Sequence, residues 1–226
     1  MIISPPALMR LLFSGVAILL LWAMPTIFHD YYARYHTTAA RVAPTSTEYT
    51  KALNRALTHN PQYNYANQLM AQYALRENRL GGALEYQRAA MESFVSVTSI
   101  ERMGTILSKL NRRDAARAQL EKAARIHPGS VGALEQLAFF AYDEGDSARL
   151  QSLTAEILRY DLENINAWYL RALDAWKTGN LESALTYLER VSAALTKEGE
   201  STRRFAGTRF EVDRRLTELK QAIDRK

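Results

Sequence analysis

The chain has 226 residues, 23% of them charged, a formal net charge of +5 and no cysteine. That length accommodates one or two domains. Lack of Cys excludes disulfides, zinc–thiolate sites and thiol nucleophiles together, and a charge this mild gives little electrostatic drive toward nucleic acid.

Residues 1–28 differ in kind from the rest. No residue from Leu11 to Phe28 is charged, and Arg10 is the single charge before them. The Leu, Ile, Val and Phe side chains of that run favour insertion by about 3–6 kcal/mol. A helix starting at Pro5-Pro6 and reaching Phe28 rises roughly 36 Å, enough to span a bilayer with some tilt. Trp22, Tyr31, Tyr32 and Tyr35 then form an aromatic membrane-interface belt. The run is longer than a signal-peptide core and no clean Ala-x-Ala follows it. The expectation is therefore an uncleaved single-pass transmembrane anchor. A pilin-like start is disfavoured because no acid precedes Asp30. Arg10 on one side and Arg34 and Arg41, offset by Asp30, on the other nearly balance the positive-inside count. A short tail before a long signal-like helix more often stays inside, which favours a bacterial inner-membrane protein whose folded part is periplasmic.

Beyond the anchor, His29–Ala40 and Thr47–His59 read as two helices around a turn at Arg41–Ser46. The clearest stretch is further on. Ile100, Met103, Gly104 and Leu107 recur at three and four, the period of an amphipathic helix. Asn111-Arg112-Arg113-Asp114 is a polar turn. Ala116, Leu120 and Ala123 then form a small–large–small face that admits a close neighbour, and Pro128 ends it. A step of 34 residues carries Gly104 to Ala138 and Ala172. Backward it pairs Ala116 and Leu120 with Gly82 and Tyr86; forward, after two steps, with Ala184 and Leu188. Ala123 leads back to Ala89 and Ala56, and Pro128 to Pro61. Gly145 and Gly179 mark one place in successive turns, and Trp168 is an early aromatic. Phe94, Leu162 and Thr196 stand where Pro is expected, while Thr154 and Ile157 loosen the pattern in 131–164.

This pattern resembles the tetratricopeptide repeat (TPR), a 34-residue helix–turn–helix. The resemblance implies an all-α fold, a TPR-type helical solenoid behind the N-terminal transmembrane helix. The expected organisation is an anchor at 1–28 and a degenerate first repeat at 29–62. Four repeats follow at 63–96, 97–130, 131–164 and 165–198, and a C-terminal capping helix at 199–226. In the cap, Phe205, Phe210, Val212, Leu216, Leu219 and Ile223 form an apolar stripe. In this family the first helix of each unit lines a concave groove for a partner's peptide or helix. Carried over, the partner-binding groove comprises Asn64 and Asn67; Glu101, Thr105, Ser108 and Lys109; Glu135, Phe139, Tyr142 and Asp143; and Tyr169, Leu173, Trp176 and Lys177. The Lys, Asn and Arg set with which some members clamp a C-terminal carboxylate is not reproduced. Large aromatics in the last two units point instead to an apolar segment, or to packing beneath the C-terminal helix.

No phosphate loop, nucleophile elbow or metal-binding helix motif occurs. His29, His36, His59 and His127 form no ligand-like motif with one another or with an acid, and read as solvated residues on separate units. Neither catalysis nor a metal or cofactor is expected. After Phe28 there are 28 basic and 24 acidic residues; the doublets Arg112-Arg113, Arg203-Arg204 and Arg214-Arg215 read as solvated faces, and no nucleic-acid partner is expected. The reading is a membrane-anchored TPR scaffold that binds a partner protein and helps assemble a membrane or envelope complex. The alternative is a permanent accessory subunit whose transmembrane helix is itself an interface.

Overall fold

Repeated reversal of short helices organises the chain. The structure, a computed structural model, describes residues 24, 27–197 and 206–224. Eleven α-helices lie among the described residues. They are α1 (27–41), α2 (Ser46–His59), α3 (Asn64–Arg76), α4 (Leu80–Ser93), α5 (Val97–Lys109), α6 (Arg113–Ile126), α7 (Val131–Glu144), α8 (Ser147–Tyr160), α9 (Ile165–Lys177), α10 (Leu181–Lys197) and α11 (Ala206–Asp224). They form two compact units, Met1–Leu110 and Asn111–Lys226. No helix among the described residues is long and apolar enough to cross a membrane. The anchor expected over 5–28 lies outside them, apart from residues 24, 27 and 28.

Local chemistry sets the helix ends. Thr45 caps α2 by accepting the Glu48 N–H at 3.2 Å, and Asn164 caps α9 from Ala167 at 2.9 Å. Ser96 and Ser99 form a reciprocal capping box at α5; each supplies an acceptor to an N–H that the helix leaves unpaired. The reversals inside the pairs share one device. Asn78, Asn111, Gly145 and Gly179 all have positive φ, between 55° and 81°, the left-handed region that only Gly and, less readily, Asn enter at low cost. After three of them the next N–H reaches back five residues: Arg79 to Ala74 O, Asp146 to Ala141 O, and Asn180 to Ala175 O. This is the Schellman closure.

Packing follows one rule counted from the starts of α4, α6, α8 and α10. The fourth, eighth and eleventh residues face inward: Ala83, Gln87 and Ala90 in α4; Ala116, Leu120 and Ala123 in α6; Leu150, Thr154 and Ile157 in α8; Ala184, Leu188 and Val191 in α10. All twelve are fully buried. The eighth residue of each first helix from α3 onward is a buried Ala71, Gly104, Ala138 or Ala172. Fully burying one Leu contributes about 1.5–3 kcal/mol.

Two sequence expectations change here. The 34-residue step selects Gly82, Tyr86 and Ala89 in α4, yet these are only half-buried; the inward set is shifted by one. The cause is the α4–α5 connection, which has three residues (94–96) where its counterparts at 60–63, 127–130 and 161–164 have four. Gln87 therefore takes the Leu120 position, and its Nε2 donates to Ser99 O at 3.0 Å. In α8 the phase holds with the sizes inverted: large Leu150 and Ile157 flank Thr154. The Thr154 hydroxyl donates to Leu150 O at 2.8 Å and accepts from Arg171 Nε at 2.9 Å, so no buried polar group is stranded. Of the C-terminal stripe, Val212 and Leu219 are fully buried, with Leu216 and Ile223 packed beside them against α9 and α10. Phe205 lies outside the described residues, as does the side chain of Phe210.

Two glycine substitutions separate backbone conformation from space. Gly179→Ala is expected to destabilise by about 1 kcal/mol because φ is +81° although a Cβ would meet nothing within 4 Å. Gly81→Ala, at a helical position equally free of contact, is expected to stabilise by up to about 1 kcal/mol. Urea unfolding of both variants reads the opposite signs.

Candidate functional site

In the second unit, α7 lies directly against α9. Glu135, Phe139 and Tyr142 follow at four and three along α7; Tyr169, Leu173 and Trp176 repeat that spacing on α9. Equal spacing on neighbouring helices places both rows on matching faces. Phe139 is 41% exposed, Lys177 is exposed, and Tyr142 and Leu173 are half-buried. Lys177 Nζ sits 5.7 Å from the centre of the Tyr142 ring, within cation–π range.

The remaining members of the row are already engaged. Tyr169 and Trp176 pack against the core that includes Val212 and Leu219 of α11, and the Arg215 guanidinium lies 5.8 Å from the Trp176 ring centre. Glu211 Oε1 accepts from Arg215 Nε at 2.7 Å, and that hydrogen bond holds the Glu211 carboxyl below its ordinary range. Burial pushes the Tyr169 phenol up, with Arg215 opposing. Helix α11 thus borders the site and covers its Tyr169–Trp176 side. Glu135 accepts from Asn164 Nδ2 at 2.8 Å, so it orients the residue that caps α9.

The predicted residues of the first unit are mostly structural. Asn64 donates to Ala90 O at 2.6 Å and Phe94 O at 3.3 Å, tying α3 to the end of α4. Asn67 is buried and donates to Pro61 O at 2.8 Å. Glu101 and Thr105 are half-buried on α5, the Thr105 hydroxyl donating to Glu101 O at 3.0 Å, and Lys109 is exposed. Of the basic doublets, Arg203-Arg204 lies outside the described residues and Arg112 is exposed, while the other three arginines are engaged within the protein. Arg113 sits 4.6 Å from the Phe140 ring centre and pairs with Asp143 and Glu144, and Arg214 and Arg215 pair with Glu211.

The structure corrects the histidine reading. His29 and His36 of α1 both meet His59 of α2, at ring-centroid distances of 6.2 and 5.6 Å, and Tyr32 stacks on His59 at 5.1 Å. Their helical spacing of seven on α1 was the available signal; that His59 comes to meet them is tertiary. Among the described residues no group of three or more His, Cys, Asp or Glu could hold a metal ion. Of the interface belt, Tyr31, Tyr32 and Tyr35 are exposed on α1, and Trp22 lies outside the described residues.

Residues 97–129 match the family model of the tetratricopeptide repeat, and no curated relative matches the chain. The fold resembles a tetratricopeptide repeat protein from Parabacteroides merdae over 86% of this chain and 76% of that one, with a TM-score of 0.68 at 12% identity. PilW, a widely conserved type IV pilus biogenesis factor, is similar over 84% of this chain and 98% of its own, with a TM-score of 0.64 at 17% identity. YrrB, a TPR protein with an unusual peptide-binding site, is similar over 74% and 84% respectively, with a TM-score of 0.57 at 17% identity. At such identities the likeness is one of fold. The chain thus carries one matched tetratricopeptide repeat, at residues 97–129, within an all-α fold similar to that of TPR proteins.

The histidine cluster makes a pH prediction. Burial, then His59 and Arg55, lower the His36 pKa from its ordinary value of 6.5. The folded pair α1–α2 then binds fewer protons than its opened form, so its stability is greatest above pH 6.5 and falls as the pH drops below that value. Hydrogen exchange should show α1 amides less protected at pH 5.5 than at pH 8. His36→Phe, which keeps a ring in the stack, should flatten the difference; an unchanged difference would assign it elsewhere.

Proposed function

We propose that this protein is a membrane-tethered TPR-type scaffold that binds an apolar segment of a partner protein on the α7–α9 face and helps assemble a membrane or envelope complex. The carrying observation is Phe139, a large aromatic left 41% exposed beside half-buried Tyr142 and Leu173 and exposed Lys177. A rigid aromatic on a structured face is the residue type that concentrates binding energy, because it buries much area at little entropic cost. The neighbouring cation suits a segment that ends in, or is flanked by, an acid. The fold likeness to a pilus biogenesis factor and to a peptide-binding TPR protein supports a scaffold role by analogy.

The tether in this reading is the uncharged sequence through Phe28, inserted as a single span over residues 5–28 with the helical pairs on the periplasmic side. The chemistry is recognition rather than catalysis. Two of the ionisable groups on this face are already engaged: Glu135 on Asn164, and Tyr169 under α11.

A photo-crosslinking residue at Phe139, in the full chain in its native membrane, tests the reading. The expected result is one discrete foreign adduct, and Phe139→Ala should weaken retention of that partner by 10-fold or more, about 1.4 kcal/mol or greater. Because Phe139 is exposed, that variant should keep its unfolding midpoint, so lost binding is not lost folding. Adducts confined to residues 206–224 would mean that the face belongs to α11, and the partner-binding reading would fail.

A further inference from the structure

Helix α1 is apolar on two opposite faces. Ala33, Thr37 and Ala40, at four and three, are buried, with Ala33 and Ala40 in the core against α2 and α3. Half a turn away, Ile27, Phe28, Tyr31 and Tyr35 fall on one stripe at helical spacing, and Met24 lies upstream of the helix. They are 63%, 53%, 64% and 60% exposed respectively, and Met24 is half-exposed. Tyr32 is not part of this stripe, because its ring is turned to His59. A stripe of four large apolar side chains on one short helix is an unpartnered surface of the kind that marks an interaction site.

We propose that the outward face of α1 docks on an anionic lipid surface, the helix lying in the headgroup layer next to the anchor. The inference rests on the membrane-tethered reading and adds to it a second, lateral membrane contact. Three observations select lipid as the occupant. The uncharged sequence Leu11–Phe28 ends on this stripe, so a bilayer that takes the former lies at the latter. The composition is interfacial: Tyr31 and Tyr35 carry an apolar ring and a polar tip, which suit a boundary with one wet side. The charge is complementary as well. Arg34 and Arg41 are exposed roughly a quarter-turn to the side of the stripe, and the acid of this helix, Asp30, is held by the Asn60 side chain. From Met24 to His59 the sequence has four Arg and Lys against two acids. A basic, aromatic helix face beside a span is the arrangement that anionic headgroups attract.

The chain has no cysteine, so single-cysteine spin labels report one position each. The full chain carrying Tyr31→Cys, Tyr35→Cys, Asn54→Cys or Leu20→Cys would be placed in nanodiscs of phosphatidylcholine, with and without roughly a third phosphatidylglycerol. Exposed Asn54 of α2 is the aqueous reference, and Leu20 reads the anchor independently. Labels at Tyr31 and Tyr35 should be several-fold less accessible to a water-soluble nickel chelate than the label at Asn54. The protection should deepen with phosphatidylglycerol, and Arg34→Glu with Arg41→Glu should abolish that dependence. If the Tyr31 and Tyr35 labels match Asn54 while Leu20 is in hydrocarbon, the lipid contact is wrong and the tether stands. An aqueous Leu20 would remove the tether and the inference with it. Spin–spin broadening at Tyr35 would give the face to a second copy of the chain and overturn the proposal.

Discussion

Close approach of one helix to the next is the constraint on which the rest depends. A helix of 13 or 14 residues has little stability alone and must bury a face at once. It can do so densely only where small side chains let backbones come near. Ala71, Gly104, Ala138 and Ala172 supply that room in the first helices, and Ala116–Leu120–Ala123 shows the matching arrangement in a second helix. Interiors tolerate rearranged volume better than lost volume. Helix α8 illustrates this, with Leu150 and Ile157 outside and Thr154 at the centre, all buried. The polar cost of Thr154 is removed by hydrogen bonds to Leu150 O and from Arg171 of α9, as that of Gln87 is removed by Ser99.

The same constraint explains how the face on α7 and α9 is made available. Each pair turns its small, buried positions inward and leaves the opposite side of the first helix unused by the core. On α7 and α9 that side carries aromatics, and their fates diverge according to what lies alongside. Helix α11 takes Tyr169 and Trp176 into a continuous apolar core with Val212 and Leu219. Phe139 has no such neighbour and stays open. Helix α11 thereby serves two ends: it covers the apolar side of α9 and α10, and it sets the limit of the usable surface.

Several cations in this protein are placed over aromatic rings. Arg113 covers Phe140, Arg190 and Arg171 flank Trp168, Lys177 covers Tyr142 and Arg215 covers Trp176. Their long stems bury apolar surface while the heads meet acids or water. That arrangement occupies Arg113 and Arg215, one member of each described doublet. Histidine behaves differently: three imidazole rings gather at the α1–α2 pair, where burial, then His59 and Arg55, lower the pKa of His36.

Read alone, the amino acids determined the helices, their pairing and the left-handed turns at Gly145 and Gly179, because each rests on spacing and backbone preference within a few residues. They also determined which residue types could form a recognition face. Tertiary structure decided what depends on the path between distant segments. A three-residue α4–α5 connection moved the buried set of α4 by one, from Tyr86 to Gln87, although a 34-residue step reads equally well through either. His59 reached His29 and His36 only because α2 folds back on α1. Whether Tyr169, Trp176 and Phe139 act as one open surface was settled by where α11 comes to rest, since burial belongs to a side chain's neighbours in space, which spacing along the chain does not contain.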